Sequence, residues 1–140
     1  MSLQIPTQLN PRKRYLQIAL NSTLSEAQQV IMRLPLDPRI IIEVGTPLIK
    51  AYGTRAISNI RSWYNLRTAA ARTQVASQKS LAGAIFKAAL SGSITQLPAD
   101  APSMEGFQPY IVADMKTMDR GAREVSIAAN AGANAVVALG

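Results

Sequence analysis

Residues 112–119 read Val-Ala-Asp-Met-Lys-Thr-Met-Asp, and they follow two further apolar residues, Tyr110 and Ile111. Such an apolar run predicts a buried strand that ends where the charged residues begin. Asp114 and Lys116 are two positions apart, so on a strand both side chains point to the same face. Parallel α/β enzymes place their chemistry at this end of a strand. Spacing alone leaves two interpretations open: an ion pair that only caps the strand, or a reactive acid–base pair.

Three further segments predict strands of the same kind. Residues 15–21, Tyr-Leu-Gln-Ile-Ala-Leu-Asn, end in the polar residue Asn21. Residues 40–49, Ile-Ile-Ile-Glu-Val-Gly-Thr-Pro-Leu-Ile, place the acid Glu43 near the end of a buried run, and residues 134–140 form a last apolar segment. Three of the four predicted strands therefore carry a polar group near their carboxyl ends.

Helices are predicted between these strands. Hydroxyls at Ser22–Ser25 offer caps for a first helix, which Pro35 and Pro38 end. A second helix is expected to begin at Pro47 and to continue to Ile60, weakened in its middle by Gly53. A third covers about residues 120–131. Strands that alternate with helices predict an α/β fold with a parallel sheet.

Four segments, in this order, resemble 3-hexulose-6-phosphate synthase, a member of the orotidine 5′-phosphate decarboxylase superfamily. They read Leu-Gln-Ile-Ala-Leu-Asn (16–21), Ile-Ile-Glu-Val-Gly-Thr-Pro-Leu-Ile (41–49), Val-Ala-Asp-Met-Lys-Thr-Met-Asp (112–119) and Ala-Gly-Ala-Asn-Ala-Val-Val-Ala-Leu-Gly (131–140). The resemblance covers residues 14–62 and 109–140. It implies a partial (β/α)8 TIM barrel, strands 1–4 with their helices, because a complete barrel takes roughly 200 residues or more and the chain has 140.

The resemblance also implies a reaction. Members of this family join formaldehyde to ribulose 5-phosphate, or release it, through an enediolate held by Mg²⁺. Glu43 and Asp114 match the carboxylates on the metal side, and Lys116 matches the lysine that contacts the substrate and the intermediate. Asp119 matches an aspartate that reaches the neighbouring subunit's site, which implies a homodimer. Asn21 stands at a substrate-binding position where the family often has aspartate.

Three functions stay open. Orotidine 5′-phosphate decarboxylases usually carry lysine where Glu43 stands, which favours the sugar-phosphate branch, but a related decarboxylase would use the same first-half residues. The family completes its site with a histidine, an arginine and phosphate-binding loops from later strands, and these are missing here. We therefore expect incomplete turnover from this chain alone, and either a homodimer or a complementing second half-barrel. The remaining alternative is a non-catalytic interaction protein derived from a half-barrel.

The chain divides into four predicted segments. These are a loose leader (1–13), the unit with strands 1 and 2 (14–62), a basic helical insertion and linker (63–108), and the unit with strands 3 and 4 (109–140). The insertion is expected to form a long helix between Asn65 and Leu90, because the stretch holds strong helix formers and few breakers. Its expected apolar face comprises Leu66, Ala69, Ala70, Thr73, Ala76, Leu81, Ile85 and Leu90.

Basic residues are concentrated in one region. The net charge is +7, and residues 44–99 hold no acid but seven Lys and Arg residues. We favour a long surface helix with a solvated basic side. The alternative is a nucleic-acid surface, in which basic and aromatic residues alternate; the candidates are Arg61, Trp63, Tyr64, Arg67 and Arg72.

Composition excludes several kinds of site. The chain has no cysteine and no histidine, so disulfides, thiolate zinc sites, Ser-His-Asp triads and imidazole ligands are ruled out. Hydrophobic residues make up 48% of the chain and charged residues 16%, which is typical of a globular domain. No apolar run is long enough for a membrane span, and residues 1–14 lack the apolar core of a signal peptide. We expect a cytoplasmic protein without membrane contact.

Overall fold

The strands of the structure are built mainly from apolar residues, and a helix follows each of the first three strands. The structure is a computed structural model that describes residues 9–89 and 107–139, with side chains described for 9–73 and 107–139. The elements are β1 (Leu16–Leu20), α1 (Leu24–Arg33), β2 (Ile40–Val44), α2 (Thr46–Tyr52), α3 (Thr54–Ala89), β3 (Tyr110–Thr117), α4 (Gly121–Asn130) and β4 (Ala135–Ala138).

The four strands form one parallel sheet in the order β1-β2-β3-β4. Each strand lies beside the next one in the chain, and each connection contains a helix, as in consecutive units of a (β/α) barrel. The α/β architecture and the four parallel strands predicted from the sequence are confirmed. The arrangement is compatible with a partial barrel.

The hydrophobic core lies between one face of the sheet and the helices. Ile42, Val44 and Ile111 are fully buried on that face, and Ile31 and Ile60 cover them from the helices. Burying a side chain of this size stabilises the fold by about 1.5–3 kcal/mol, so the core fixes which face of each strand meets the helices. Residues at the alternate positions, including Glu43 and Asp114, point to the other face.

Helix α1 begins and ends where the sequence predicts. The Thr23 side chain accepts a hydrogen bond from the backbone N–H of Glu26 at 3.2 Å, which satisfies one free donor of the first turn. The last helical residue is Arg33, and Pro35 follows two residues later.

The predicted second helix is in fact two helices. Gly53 adopts φ +60° and ends α2, and a new helix, α3, begins at Thr54. A left-handed residue at this point closes a helix, and only glycine takes that conformation without steric cost. Helix α3 then runs to Ala89 without interruption, so it joins the end of the predicted helix 2 to the predicted insertion helix.

The expected apolar face of the long helix is wrong over its described part. Leu66 is 69% exposed, and Ala69, Ala70 and Thr73 are exposed as well. The face that packs on the protein instead comprises Ala56, Ile57, Ile60, Tyr64 and Thr68. The side chains of Ala76, Leu81 and Ile85 lie outside the described side chains. Leu90, the predicted linker and most of the predicted leader lie outside the described residues.

Candidate active site

Glu43 and Asp114 lie on the same face of the sheet. In the register of the parallel strands, Glu43 is opposite Ala19 of β1 and Val112 of β3. Asp114 is two residues beyond Val112, so its side chain is on the Glu43 side and nearer to the carboxyl end of the sheet. Both carboxylates therefore come from the face that the core helices do not cover.

Asp114 and Lys116 form an ion pair. The Lys116 Nζ lies 2.9 Å from Asp114 Oδ2 and 3.2 Å from Oδ1, so the ammonium donates to both oxygens. The Asp114 side chain is 11% exposed and that of Lys116 is 49% exposed. A buried carboxylate thus holds a cation that solvent, or a substrate, can reach.

The pair lies at a break in β3. Lys116 has φ +48°, and among the described residues it is the one non-glycine with a left-handed backbone. The register of β3 with β4 shifts between Ala113 and Thr117, as in a β-bulge. A left-handed backbone at a residue other than glycine costs about 1–2 kcal/mol, and such strain is concentrated at functional sites.

Opposing effects determine the charge of Asp114. Burial would raise the pKa of its carboxyl group, but hydrogen bonding by Lys116, supported by the positive charge of that residue, outweighs it. The pKa of Asp114 is therefore below its ordinary value, and the group is ionised at neutral pH.

Glu43 is oriented by a residue that sequence analysis missed. The Gln17 side-chain amide donates a hydrogen bond to Glu43 Oε2 from the neighbouring strand. Gln17 is the one polar residue in β1, Leu16–Leu20. Gln17 is a polar residue on the face of β1 that points away from the core. This was the sequence signal that could have identified it.

Asn21 lies at the end of β1, against Gly45. A Cβ atom built on Gly45 would meet Asn21 Oδ1 at 1.7 Å, so the amide oxygen occupies the space beside the glycine. The Gly45 N–H donates to the Leu20 carbonyl at 2.9 Å, which holds the two strand ends together. Asn21 is thus at the same carboxyl edge as Asp114.

Thr46 is a second residue that sequence analysis missed. Its hydroxyl donates a hydrogen bond of 2.7 Å to the backbone carbonyl of Asp114. The Glu43-Val-Gly-Thr-Pro motif contains Thr46, but the sequence identifies only its acid as a site residue. No pattern within one segment reveals an acceptor on another strand.

Asp119 does not join this cluster. It is exposed, just past the end of β3, and makes no hydrogen bond or ion pair to any described residue. Beside it, the Thr117 hydroxyl donates to Glu124 Oε2 at 2.5 Å and ties the strand end to α4. The position agrees with a side chain that points outward; contact with a partner subunit stays a prediction.

The two carboxylates supply the oxygen ligands that Mg²⁺ prefers. Within residues 9–73 and 107–139, no three acidic side chains come together at one metal-sized position. An ion held between Glu43 and Asp114 would therefore need water or substrate oxygens to complete its shell, which is the usual condition of protein-bound Mg²⁺. The oxygen ligands and the shared face of Glu43 and Asp114 agree with Mg²⁺ binding, which stays a prediction.

Three arginines of the basic region bind the protein's own carbonyl groups. Arg61 donates to Pro109 O at 2.7 Å and to Gly132 O at 2.9 Å. Arg67 donates to the carbonyl of Ile31, and Arg72 donates to that of Phe107 at 2.7 Å. Burial lowers the pKa of Arg61.

The aromatic candidate Tyr64 is fully buried. These contacts support the structural interpretation of the region, and nucleic-acid binding stays an untested alternative. None of the described helices is long and apolar enough to cross a membrane.

The chain is similar to proteins named bifunctional enzyme Fae/Hps. It is 33% identical to that of Methanosarcina mazei over 124 residues, which are 88% of this chain and 21% of the enzyme. It is 31% identical to that of Methanospirillum hungatei over an alignment of 141 positions, which covers 100% of this chain and 25% of the enzyme. The chain thus spans about a fifth to a quarter of the length of these relatives. No family profile and no solved structure matches it.

Proposed function

We propose that this chain carries part of the site of an aldolase-type carbon–carbon lyase of the hexulose-6-phosphate synthase type. The observation that supports this best is the Asp114–Lys116 ion pair at the carboxyl end of β3, with Glu43 on the same face. The similarity to Fae/Hps enzymes agrees, since Hps is their hexulose-6-phosphate synthase part. The substrates would be formaldehyde and ribulose 5-phosphate.

Each residue has a distinct role in this proposal. An enediolate of the sugar carries negative charge on oxygen, and a positive charge held nearby lowers the energy of that state. Lys116 supplies such a charge, and its ion pair with Asp114 fixes the position of the ammonium group. Bound Mg²⁺ would supply further charge stabilisation as a Lewis acid. Glu43 and Asp114 would hold it.

The remaining assignments follow the same proposal. Asn21 would contact the substrate from the end of β1, with its amide in place of the family's more frequent carboxylate. Asp119 would act in the site of a second subunit, so a homodimer or a complementing second half-barrel is the proposed partner. A cytoplasmic location is likewise an expectation.

The experiment is a binding and turnover assay with matched variants. Together with its proposed partner, a second copy or a complementing half-barrel, the chain should bind ribulose 5-phosphate in a Mg²⁺-dependent manner, measured by calorimetry, and should consume added formaldehyde. Asp114→Asn and Lys116→Ala should lose the consumption, at least about 100-fold as for removal of one charge-stabilising group, while circular dichroism shows an intact fold. Asp37→Asn is the control, because it removes an aspartate that is ion-paired with Arg39 just before β2.

The outcomes separate the alternatives. Release of carbon dioxide from a keto sugar-acid phosphate, without any formaldehyde reaction, would favour the related decarboxylase. A folded chain that binds neither Mg²⁺ nor sugar phosphate would contradict the enzyme proposal and favour an interaction protein. Equal activity in the wild type, Asp114→Asn and Lys116→Ala would refute the assigned roles.

A further inference from the structure

The Thr46 hydroxyl connects two elements that are far apart in the chain. Thr46 is the first residue of α2, and its Oγ1 donates 2.7 Å to the carbonyl oxygen of Asp114 in β3. A threonine at a helix start often caps its own helix. Here the cap residue is Gly45, and no side chain caps α2. The hydroxyl is directed to the neighbouring strand instead.

The acceptor of this bond stands where the sheet pairing of β3 stops. The last register pair between β2 and β3 is Val44 with Ala113. Pairing with β4 is broken between Ala113 and Thr117. Asp114 therefore lies beyond the regular ladder on both sides. A backbone carbonyl that is mostly buried needs a donor, and Thr46 supplies it.

The bond acts on the conformation that forms the ion pair. Asp114 is two residues before the left-handed residue Lys116. If the Asp114 peptide could rotate, β3 could relax to regular strand geometry, and the Lys116 ammonium would leave the carboxylate. Bulges re-aim side chains in this way when something outside the strand holds them.

We infer that Thr46 is the positioning residue of this site, holding the bulge of β3 so that Lys116 lies on Asp114. The inference rests on the proposed function for its catalytic consequence, but its structural claim can be tested without turnover. Loss of the hydroxyl should release the Lys116 backbone from its left-handed conformation. Turnover should then fall because the charge is misplaced, although neither Asp114 nor Lys116 has changed.

The test compares Thr46→Val, which keeps the shape and removes the hydroxyl, with Thr46→Ser, which keeps the hydroxyl. In nuclear magnetic resonance spectra, a left-handed residue gives a strong Overhauser effect between its own amide and α protons. We expect Lys116 to show it in the wild type and in Thr46→Ser, and to lose it in Thr46→Val. We expect kcat to fall about 10- to 100-fold in Thr46→Val, as misplaced reacting groups do, with KM much less affected and with rescue in Thr46→Ser.

Thr68→Val is the matched control. The Thr68 hydroxyl is also buried and donates to a carbonyl, that of Asn65 at 2.8 Å, within α3 and away from the site. It should leave the Lys116 signal and kcat unchanged. If Thr46→Val fails to fold, Thr46→Ala takes its place. The comparison of Thr46→Ala with Thr46→Ser again sets a protein without the hydroxyl against one that keeps it.

The outcomes for Thr46 and for the proposed function are distinguishable. A Lys116 signal that persists without the Thr46 hydroxyl overturns the inference, whatever the enzyme does. A wild type without any reaction of the tested sugar phosphates overturns the proposed function, while the spectra still decide the role of Thr46. A uniform loss of kcat in Thr46→Val, Thr46→Ser and Thr68→Val would indicate general destabilisation. That result would also overturn the inference about Thr46.

Discussion

At the residue scale, Gly45 is required for space and not for backbone conformation. Its φ is −69°, which any residue adopts. A Cβ atom there would overlap the amide oxygen of Asn21, and it would also lie 3.0 Å from the carbonyl oxygen of Leu20. Gly45 therefore makes room for the Asn21 side chain at the edge of the candidate site.

The first prediction is that Gly45→Ala is costly only while Asn21 is present. Overpacking of this kind costs about 1–3 kcal/mol, and the amide must move to relieve it. In an Asn21→Gly background, the same change should cost much less, with a remainder from the Leu20 carbonyl. Urea unfolding of the four proteins of the cycle measures the coupling. Equal costs in both backgrounds would show that Asn21 does not occupy this space.

A second prediction concerns Asp37, which is ion-paired with Arg39 just before β2. Hydrogen bonds from the Arg39 side chain and then from its backbone N–H lower the pKa of Asp37 from 3.8 to about 2. Because the pKa of Asp37 is lower in the folded than in the unfolded protein, its ion pair with Arg39 stabilises the fold fully at pH values above the unfolded-state pKa, which is near 3.9. This stabilisation is lost as the pH falls towards about 2.

Arg39→Gln should therefore raise the pKa of Asp37 part of the way back, because the backbone N–H remains. A carbon-13 titration of the Asp37 carboxyl group measures it. The Arg39 side chain is largely exposed, so the free energy of unfolding at neutral pH should change little. An unchanged Asp37 pKa in Arg39→Gln would mean that the pair does not persist in solution.

The sequence was sufficient to propose Asp114 and Lys116 together, because residues two apart on a strand share a face. It could not predict the bulge at which the two residues meet. Lysine has no preference for a left-handed backbone, so nothing at position 116 signals one. Thr46 and Gln17 were missed for a related reason, since their partners belong to other elements and become neighbours only after the strands pair.

At the element scale, α3 shows why periodicity can identify a helix and still misassign its buried face. Strong helix formers predicted the helix correctly, but apolar residues occur on more than one of its sides. Tyr64 and Thr68 are buried because they continue the spacing of Ile57 and Ile60, although neither belongs to the predicted apolar face. Leu66 continues a different stripe and is exposed.

The third prediction compares two equal truncations on α3. Ile60→Ala should reduce the free energy of unfolding by about 2–5 kcal/mol, because it opens a cavity in the core. Leu66→Ala should change it by no more than about 0.5 kcal/mol, as at other exposed sites. Urea unfolding at low protein concentration measures both values. A large loss for Leu66→Ala would mean that another part of the protein, or a second copy, covers that stripe.

The same helix shows a structural use for three of the basic residues. Arg61, Arg67 and Arg72 lie along α3 and donate to carbonyl groups of three different segments. Carbonyl acceptors are not visible in a sequence, so a run of arginines without nearby acids resembles a surface for anions. Arginine is suited to this structural use because its planar group carries several donors in fixed directions.

At the scale of the whole molecule, the sheet is covered on one side by helices and holds Glu43 and Asp114 on the other. Parallel sheets are normally buried on both faces. In the described part of the chain, no further strand pairs with β1 or with β4. The order of strands could be predicted from the sequence because consecutive β–α units pair in sequence. The strands that complete the sheet could not be predicted, because an edge strand carries no sequence pattern that identifies its partner.

The last prediction is that the chain alone is not a stable monomer, because unpaired edges of a parallel sheet tend to pair with other strands. Sedimentation velocity at micromolar concentration should detect dimers or larger species. Ala19→Pro should weaken them. In β1, Leu16 and Leu20 direct their backbone groups to β2, so the alternate residue Ala19 directs its N–H to the open edge. Proline removes that donor without removing a bond to β2.

Ala19→Ser is the control, because it changes the side chain and keeps the N–H group. The proline variant should sediment as a smaller species than the serine variant at the same concentration, and both should retain the helical circular dichroism signal. Since the expected partner strand is parallel to β1, two copies could close the sheet by pairing β1 of each with β4 of the other. A wild-type chain that is a compact monomer and unfolds cooperatively would contradict this prediction, and it would show that the sheet is stable with the edges it has.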